Sequence, residues 1–280
     1  MTRATILIPA HNEASVIGRT LLHLATGPAR DEFKIVVIAN GCSDATAMKA
    51  RSVLPHAVVL ETAIPGKCSA LNYGLSEAVP GRPVICLDAD IDVTLEALRA
   101  LIAPLEAGNT LAACGRMDVH TSDSHALVRA YYNGWKTNPY FDRGKFGGLF
   151  AVSPRGVSRV FPLPDITADD EFVRRSFAFG EVAFVTDCRF TVRAPKTLRS
   201  LACVRRRSLR GAREVTSLGF RSPERGSAAV VLWRAVRDPR RLFPVFVYLA
   251  VNVWARIVLA REDANMNAGW ERDLTTRVEG

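Results

Sequence analysis

The chain has 280 residues, 48% hydrophobic and 23% charged, values of a globular protein that argue against wholesale disorder and a polytopic membrane protein. Its net charge of +9 is uneven, because from Arg189 onward 19 Lys and Arg face 8 acids. A basic segment behind a near-neutral body calls for an anionic partner. Aromatics are sparse there and no recognition motif appears, so anionic lipid or a phosphate-bearing substrate is expected rather than nucleic acid.

In chain order, Thr5-Ile6-Leu7-Ile8 is a β-branched strand stopped by Pro9. His11-Asn12-Glu13 follows, then a helix from Ala14 with apolar Val16, Ile17, Leu21, Leu22 and Leu24, ended by Gly27-Pro28. Phe33 to Ala39 is a second strand, and Asn40-Gly41-Cys42-Ser43-Asp44 is a loop capping the next helix. Val58-Val59-Leu60 is a third strand, and Pro65-Gly66-Lys67 opens a helix carrying Leu71, Leu75 and Ala78. The fourth strand, Val84 to Leu87, ends in Asp88-Ala89-Asp90-Ile91-Asp92. If extended geometry continued, Asp88 and Asp90 would share one side; Asp92 or Thr94 would cap the following helix near Leu95–Leu105. This alternation of strand and helix predicts a parallel α/β sheet with right-handed crossovers.

Thr110–Val119 reads as a longer, irregular strand, followed by a polar aromatic stretch from Tyr131 to Phe141. Gly147-Gly148 opens a strand to Ser153, the glycines allowing close backbone approach. Asp169-Asp170-Glu171 stands at a helix start, where acids favour the macrodipole or hold a general base. The cysteines at 42, 68, 86, 114, 188 and 203 form no C-x-x-C pair, which reads as buried reduced thiols in a cytosolic protein. The apolar stretch at the N-terminus is too short for a signal peptide.

The polar strand–helix turns carry Asn12 and Glu13, Asn40 and Asp44, Lys67, and Asp88 with Asp90. All converge on one sheet edge, where open α/β sheets bind ligands. Neither a Rossmann glycine pattern nor a Walker-type phosphate loop occurs. Phosphate neutralisation therefore falls to a divalent metal held by Asp88 and Asp90.

With these residues in place the chain resembles an inverting family 2 glycosyltransferase of GT-A fold, of the short, non-processive, bacterial surface-glycan type. Ile8 to Glu13 resembles the family's Pro-x-x-Asn-Glu, and Asn40 to Asp44 its Asp-Gly-Ser-x-Asp loop. Gly66-Lys67 through Ala70-Leu71-Asn72-Tyr73-Gly74 resembles its Gly-Lys…Ala-Leu-Asn-x-Gly helix. Asp88-Ala89-Asp90 matches D-x-D, and Asp169-Asp170-Glu171-Phe172-Val173 resembles Glu-Asp-x-x-Leu. The resemblance implies nucleotide contacts from Pro9, Glu13 and Asn40, and Lys67 near the ribose-diphosphate. It implies Asp88 at ribose or metal, Asp90 on Mg²⁺ or Mn²⁺, and Asp170 as base, with Asp169 the choice if the register slides by one. Ala39-Asn40 replaces a pair of acids, and Asp169 replaces the usual Glu. Gln-x-x-Arg-Trp is absent, which argues against a processive polymerase. The run Arg205 to Arg210 stands there instead, offering Arg207 and Arg210 to the diphosphate or a basic face to solvent or lipid.

Leu242 to Ala260 is nearly uncharged, with Tyr248, Asn252 and Arg256 spaced as one polar stripe. Pro244 counts against a membrane span. Three placements stay open: a packing helix, a helix lying in the membrane interface together with the amphipathic Ala229–Val236, and a spanning helix. The tail from Trp270 is expected to be a short exposed end.

The expectation is a GT-A-like, mainly parallel sheet sandwiched by helices at 1–215 and a basic, apolar helical extension at 216–280. It is a metal-dependent enzyme moving a sugar, expected to be UDP-linked, to a lipid-linked or cell-surface glycan at the cytosolic face of the plasma membrane. A sugar-phosphate nucleotidyltransferase and an inactive glycan- or lipid-binding module are the alternatives.

Overall fold

A computed structural model describes residues 1–25, 30–139, 141, 144–221 and 228–265. The expected helix stop at Gly27-Pro28 and the tail from Trp270 lie outside the described residues. Two compact units emerge, one of residues 1–118 with 144–192 and one of 119–143 with the chain from 193. These breaks differ from the single boundary at 215/216, because the segments 119–143 and 193–215 pack with the C-terminal helices.

The first unit carries the sheet. Strands β1 (Ala4–Ala10), β2 (Phe33–Asn40), β3 (Val58–Thr62), β4 (Val84–Leu87), β5 (Asp92–Val93), β6 (Ala112–His120), β7 (Leu149–Val152) and β8 (Val182–Arg193) lie in the order β3-β2-β1-β4-β7-β6-β8-β5. β1 to β4 run parallel, with Ile6 opposite both Ile35 and Ile85. β7 is antiparallel to β4 and to β6, so the sheet is mixed. All seven residues of β1 are buried, as expected of a central strand covered on both faces.

Alternation sorts the side chains. Ile6, Ile8, Ile35 and Val37 join Ile17, Leu21 and Leu24 of α1 (Ile17–Ala25) and Leu98, Leu101 and Ile102 of α4 (Leu95–Glu106) in one apolar cluster. On the other face, α3 (Lys67–Gly74) approaches so closely that a Cβ on Gly74 would meet Ile38 Cδ1 at 2.7 Å. α2 (Thr46–Val53), α6 (Pro154–Val160) and α7 (Asp169–Arg175) complete this unit.

Some sequence readings shift. Pro9 lies inside β1 rather than ending it; β4 pairs with β1 only through Leu7–Cys86, so Pro9 stands beyond that ladder. α1 begins at Ile17, and Leu22 is 58% exposed rather than in the core. α3 ends at Gly74, with Leu75 in a separate tight turn. All six cysteines are free, four of them buried.

In the second unit, α5 (Ala126–Trp135), α8 (Leu198–Ser217), α9 (Ala228–Val236) and α10 (Leu242–Asn265) pack together. The first part of the aromatic stretch, Tyr131 to Trp135, belongs to α5, a helix the sequence did not announce. Gly134 of α5 has no room for a Cβ against the Pro244 carbonyl, so α5 and α10 touch backbone to backbone. Pro244 sits in the first turn of α10, where its missing N–H costs nothing.

Candidate functional site

The C-terminal ends of β1, β2 and β4 carry the turns that sequence reading brought to one edge. After β4 the backbone does not stay extended. It turns at Asp88, with Ile91 N donating to Asp88 O at 3.3 Å, so Asp88 and Asp90 do not continue the strand alternation. This turn is held from two sides. Thr20 Oγ1 of α1 donates to Ala89 O at 2.8 Å, and Arg19 Nη2 to Asp90 O at 3.3 Å. From β7's side, Asp88 N donates to Gly148 O at 2.9 Å. Gly148 has φ +88°, and a Cβ there would stand 2.5 Å from Asp88 Oδ2; this is the close approach the paired glycines imply. Asp92 does not cap the next helix. It pairs with Arg19 at 2.8 Å, while Thr94 Oγ1 accepts from Ala97 N.

Lys67, the first residue of α3, joins two distant segments. Its Nζ lies 2.6 Å from Asp88 Oδ1 and 2.9 Å from Asp169 Oδ1. Burial opposes the ammonium charge, but Asp169, Asp88 and Asp170 outweigh it and hold the Lys67 pKa well above its ordinary value. Asp169 is 3% exposed and its Oδ2 accepts no hydrogen bond. Burial pushes its pKa up to about 6, against the pull of Lys67 and with the repulsion of Asp170 and Asp88 added. Asp170 is half-buried, with Oδ1 accepting from Glu171 N at 2.8 Å. Glu171 is committed elsewhere, paired with Arg174 at 2.9 Å and Arg175 at 2.7 Å. The three acids at this helix start thus have three different environments: ion-paired and buried, half-open, and tied to arginines.

The loop that delivers Asp169 and Asp170 is pinned by α3. Asn72 Nδ2 donates to Leu163 O at 2.8 Å, and its Oδ1 accepts from Leu163 N at 2.7 Å. The Cys68 thiol, its pKa pushed up to about 12 chiefly by burial, donates to Ile166 O at 3.3 Å. The Ala-Leu-Asn signature was legible, but not what Asn72 would hold.

The other expected nucleotide contacts divide. Glu13 is buried, 7% exposed, with its N–H donating to Thr46 Oγ1. Asn40 is 2% exposed and already engaged: Nδ2 donates to Ala10 O at 2.9 Å, and Oδ1 accepts from Gly66 N at 3.0 Å. Its amide ties β1, β2 and the turn before α3, so contact with a base through it would break those bonds. Pro9 is buried in β1. Asn12, at φ +53°, accepts from Ser43 N at 2.8 Å, and Asp44 accepts from Thr46 N and Ala14 N. These bonds join the first two turns into one rim. Arg207 and Arg210 lie on α8, in the second unit.

Among the described residues no group of three or more His, Cys, Asp or Glu is gathered to hold a metal by itself. The oxygen donors of Asp88 and Asp90 nevertheless suit a hard divalent cation. Such an ion brought with a diphosphate needs only one or two protein carboxylates, the rest coming from phosphate and water. The donor set fits that arrangement rather than an all-protein cage.

A model of the family described as "Glycosyl transferase family 2" matches residues 5–157. No curated protein matches the sequence. Among solved structures, the chain is similar to the mannosyltransferase PcManGT from Pyrobaculum calidifontis in complex with GDP-Man and Mn²⁺, at 21% identity and TM-score 0.62, covering 94% of this chain and 80% of that one. It is also similar to glucosyl-3-phosphoglycerate synthase from Mycobacterium tuberculosis with phosphoglyceric acid, at 17% identity and TM-score 0.56, covering 78% and 81%. A second structure of that synthase, with Mn²⁺, UDP-glucose and phosphoglyceric acid, matches at 17% identity and TM-score 0.54, covering 78% and 80%.

Proposed function

The chain belongs to glycosyl transferase family 2, and from that premise we propose that it moves a sugar, with inversion and without processivity, from a UDP-sugar to a lipid-linked or cell-surface glycan. The observation that carries the reading is the meeting of Lys67, Asp88 and Asp169 beside Asp170 and the Asp88–Asp90 turn. Family membership also sets aside the nucleotidyltransferase alternative.

In this reading Asp170 takes the proton of the acceptor hydroxyl as that oxygen bonds to the anomeric carbon. The bond from that carbon to the diphosphate oxygen breaks on the opposite face. Lys67 lies beside the diphosphate, and Pro9 and Glu13 line the nucleotide side. Arg207 and Arg210 are proposed diphosphate contacts. Asp90, with Asp88, would hold Mg²⁺ or Mn²⁺, which when bound supplies Lewis-acid stabilisation to the leaving diphosphate. Asp169 serves as the partner that fixes Lys67, which favours Asp170 over Asp169 as base. A UDP donor is supported by the UDP-glucose bound in the synthase of like fold; GDP, carried by the mannosyltransferase structure, is the competitor. The proposed location is the cytosolic face of the plasma membrane.

The test is a thermal-shift panel of nucleoside diphosphates and nucleotide sugars with Mn²⁺ or EDTA, followed by donor turnover. A UDP shift abolished by EDTA is expected, with turnover down by roughly 10²–10⁴ in Asp170→Asn and lost in Asp90→Ala. Turnover unchanged in both variants would overturn the assignment.

A further inference from the structure

Ten of the eighteen large hydrophobic side chains exposed among the described residues fall between Val230 and Ile257, on α9 and α10. On α10, beyond Leu242 at its first position, the exposed members are Phe243 at 60%, Phe246 at 68%, Val253 at 53%, Trp254 at 48% and Ile257 at 48%. Separations of three, four and seven residues place them on one stripe, about 21 Å long from Phe243 to Ile257 at the rise of an α-helix. The other side of α10 is turned inward: Val245, Tyr248, Asn252, Ala255 and Leu259 are buried, and α10 packs on α5 and α8. α9 repeats the pattern, with Val231 and Ala235 buried while Leu232, Trp233 and Val236 are 48%, 54% and 71% exposed. So many large apolar side chains left in water on two successive helices mark an interaction site.

Charge says what covers it. From Ala228 to Arg261 the sequence has six arginines and a single acid, Asp238, which is engaged with Arg241 at 2.9 Å. Arg237, Arg240, Arg241, Arg256 and Arg261 are exposed. The Arg237 guanidinium lies 3.5 Å from the centre of the Trp233 ring, a cation–π contact. Tryptophan and arginine beside an apolar stripe are the composition of a helix lying at a lipid headgroup boundary. A two-fold pairing with a second copy would set arginine against arginine.

A spanning helix fits worse, although Pro239–Arg261 is long and apolar enough by composition. Asn252, on the inward face, accepts from Arg205 Nε of α8 at 2.5 Å and donates to Tyr248 O at 2.6 Å. Two of the three residues of the polar stripe thus point into the unit. Crossing a bilayer would break this bond or draw the arginine-rich α8 into hydrocarbon.

We propose that the exposed face of α9 and α10 is an in-plane docking surface for an anionic phospholipid bilayer. Trp233, Phe243, Phe246 and Trp254 enter the headgroup–acyl boundary, and Arg237, Arg240 and Arg241 meet phosphates. The membrane location given above is thereby assigned to particular residues. The inference rests on the exposed face alone, so vesicle binding and sugar transfer are measured separately and each can fail without the other.

The full chain is sedimented with phosphatidylcholine vesicles, with and without phosphatidylglycerol. Binding is expected only with the anionic vesicles, weakening as salt rises, and brominated lipid is expected to quench tryptophan fluorescence. Phe246→Glu and Trp254→Glu should lower partitioning roughly tenfold or more, with unfolding temperatures unchanged because both side chains are already in water. Arg240→Gln/Arg241→Gln should flatten the salt dependence. No partitioning, equal binding to neutral vesicles, retention in membranes after carbonate extraction as for a spanning helix, or a dimer that buries this face would each overturn the proposal.

Discussion

Lys67 Nζ lies 2.9 Å from Asp169 Oδ1, a contact between the first residue of α3 and the first residue of α7. The same ammonium reaches Asp88 at 2.6 Å. One cation therefore fixes the acidic turn after β4 and the helix start that presents Asp170. Removing it leaves two carboxylates facing each other across a poorly solvated space. Lys67→Met should cost about 2–3 kcal/mol, below the range for a fully buried pair because Lys67 and Asp88 keep partial solvent contact. Denaturant unfolding checks this. Adding Asp169→Asn should return part of the loss, giving a coupling energy in a double-mutant cycle.

Asp169 makes stability depend on pH. Its pKa is raised from 3.8 to about 6 in the folded chain, so the native state holds this proton more tightly than the unfolded state does. Its contribution is therefore most favourable at and below about pH 4 and is lost as pH rises toward and through about 6. The full difference is at most ~3 kcal/mol. Asp169→Asn should remove this component, leaving a variant relatively more stable than the parent above pH 6 and without advantage near pH 4. Unfolding midpoints across pH 4–8 check the sign.

Gly148→Ala tests the packing behind the acidic turn. The residue sits at φ +88°, and its Cβ would stand 2.5 Å from Asp88 Oδ2. Backbone strain alone costs roughly 1–2 kcal/mol, and Asp88 must also move. Donor turnover should fall more steeply than stability, read by comparing turnover with the unfolding temperature.

Asn72→Ala tests the clamp on the loop before α7. Both Asn72 hydrogen bonds go to Leu163, so their loss leaves a backbone donor and an acceptor without these partners, at a cost of about 1–3 kcal/mol. Since the loop delivers Asp170, turnover should drop while the thermal shift by UDP and Mn²⁺ persists. Loss of both together would make Asn72 part of the nucleotide site instead.

Much of the sheet was open to reading from sequence because its strands are dense apolar runs punctuated by Gly and Pro. β1 to β4 and the turns after them follow directly. β8 was not announced: Val182 to Arg193 mixes polar and apolar residues without a dense apolar run. α5 was hidden because its aromatic residues resemble a loop or a strand as much as a helix.

Residue chemistry alone pointed to Lys67, Asp88 and Asp90 at one sheet edge, since each stands at a strand or helix end where an α/β sheet gathers its ligands, and the family resemblance added Asp170. Distance and burial decided the rest. Only the folded chain places Asp169 rather than Asp170 on Lys67, gives Asn72 the loop to hold, commits the Asn40 amide to the backbone and pairs Asp92 with Arg19. It also turns Tyr248 and Asn252 inward and Phe246 and Trp254 outward on α10. A periodic pattern tells which residues share a face. Which face meets protein depends on the partners the tertiary fold supplies, and those come from segments far away in the chain.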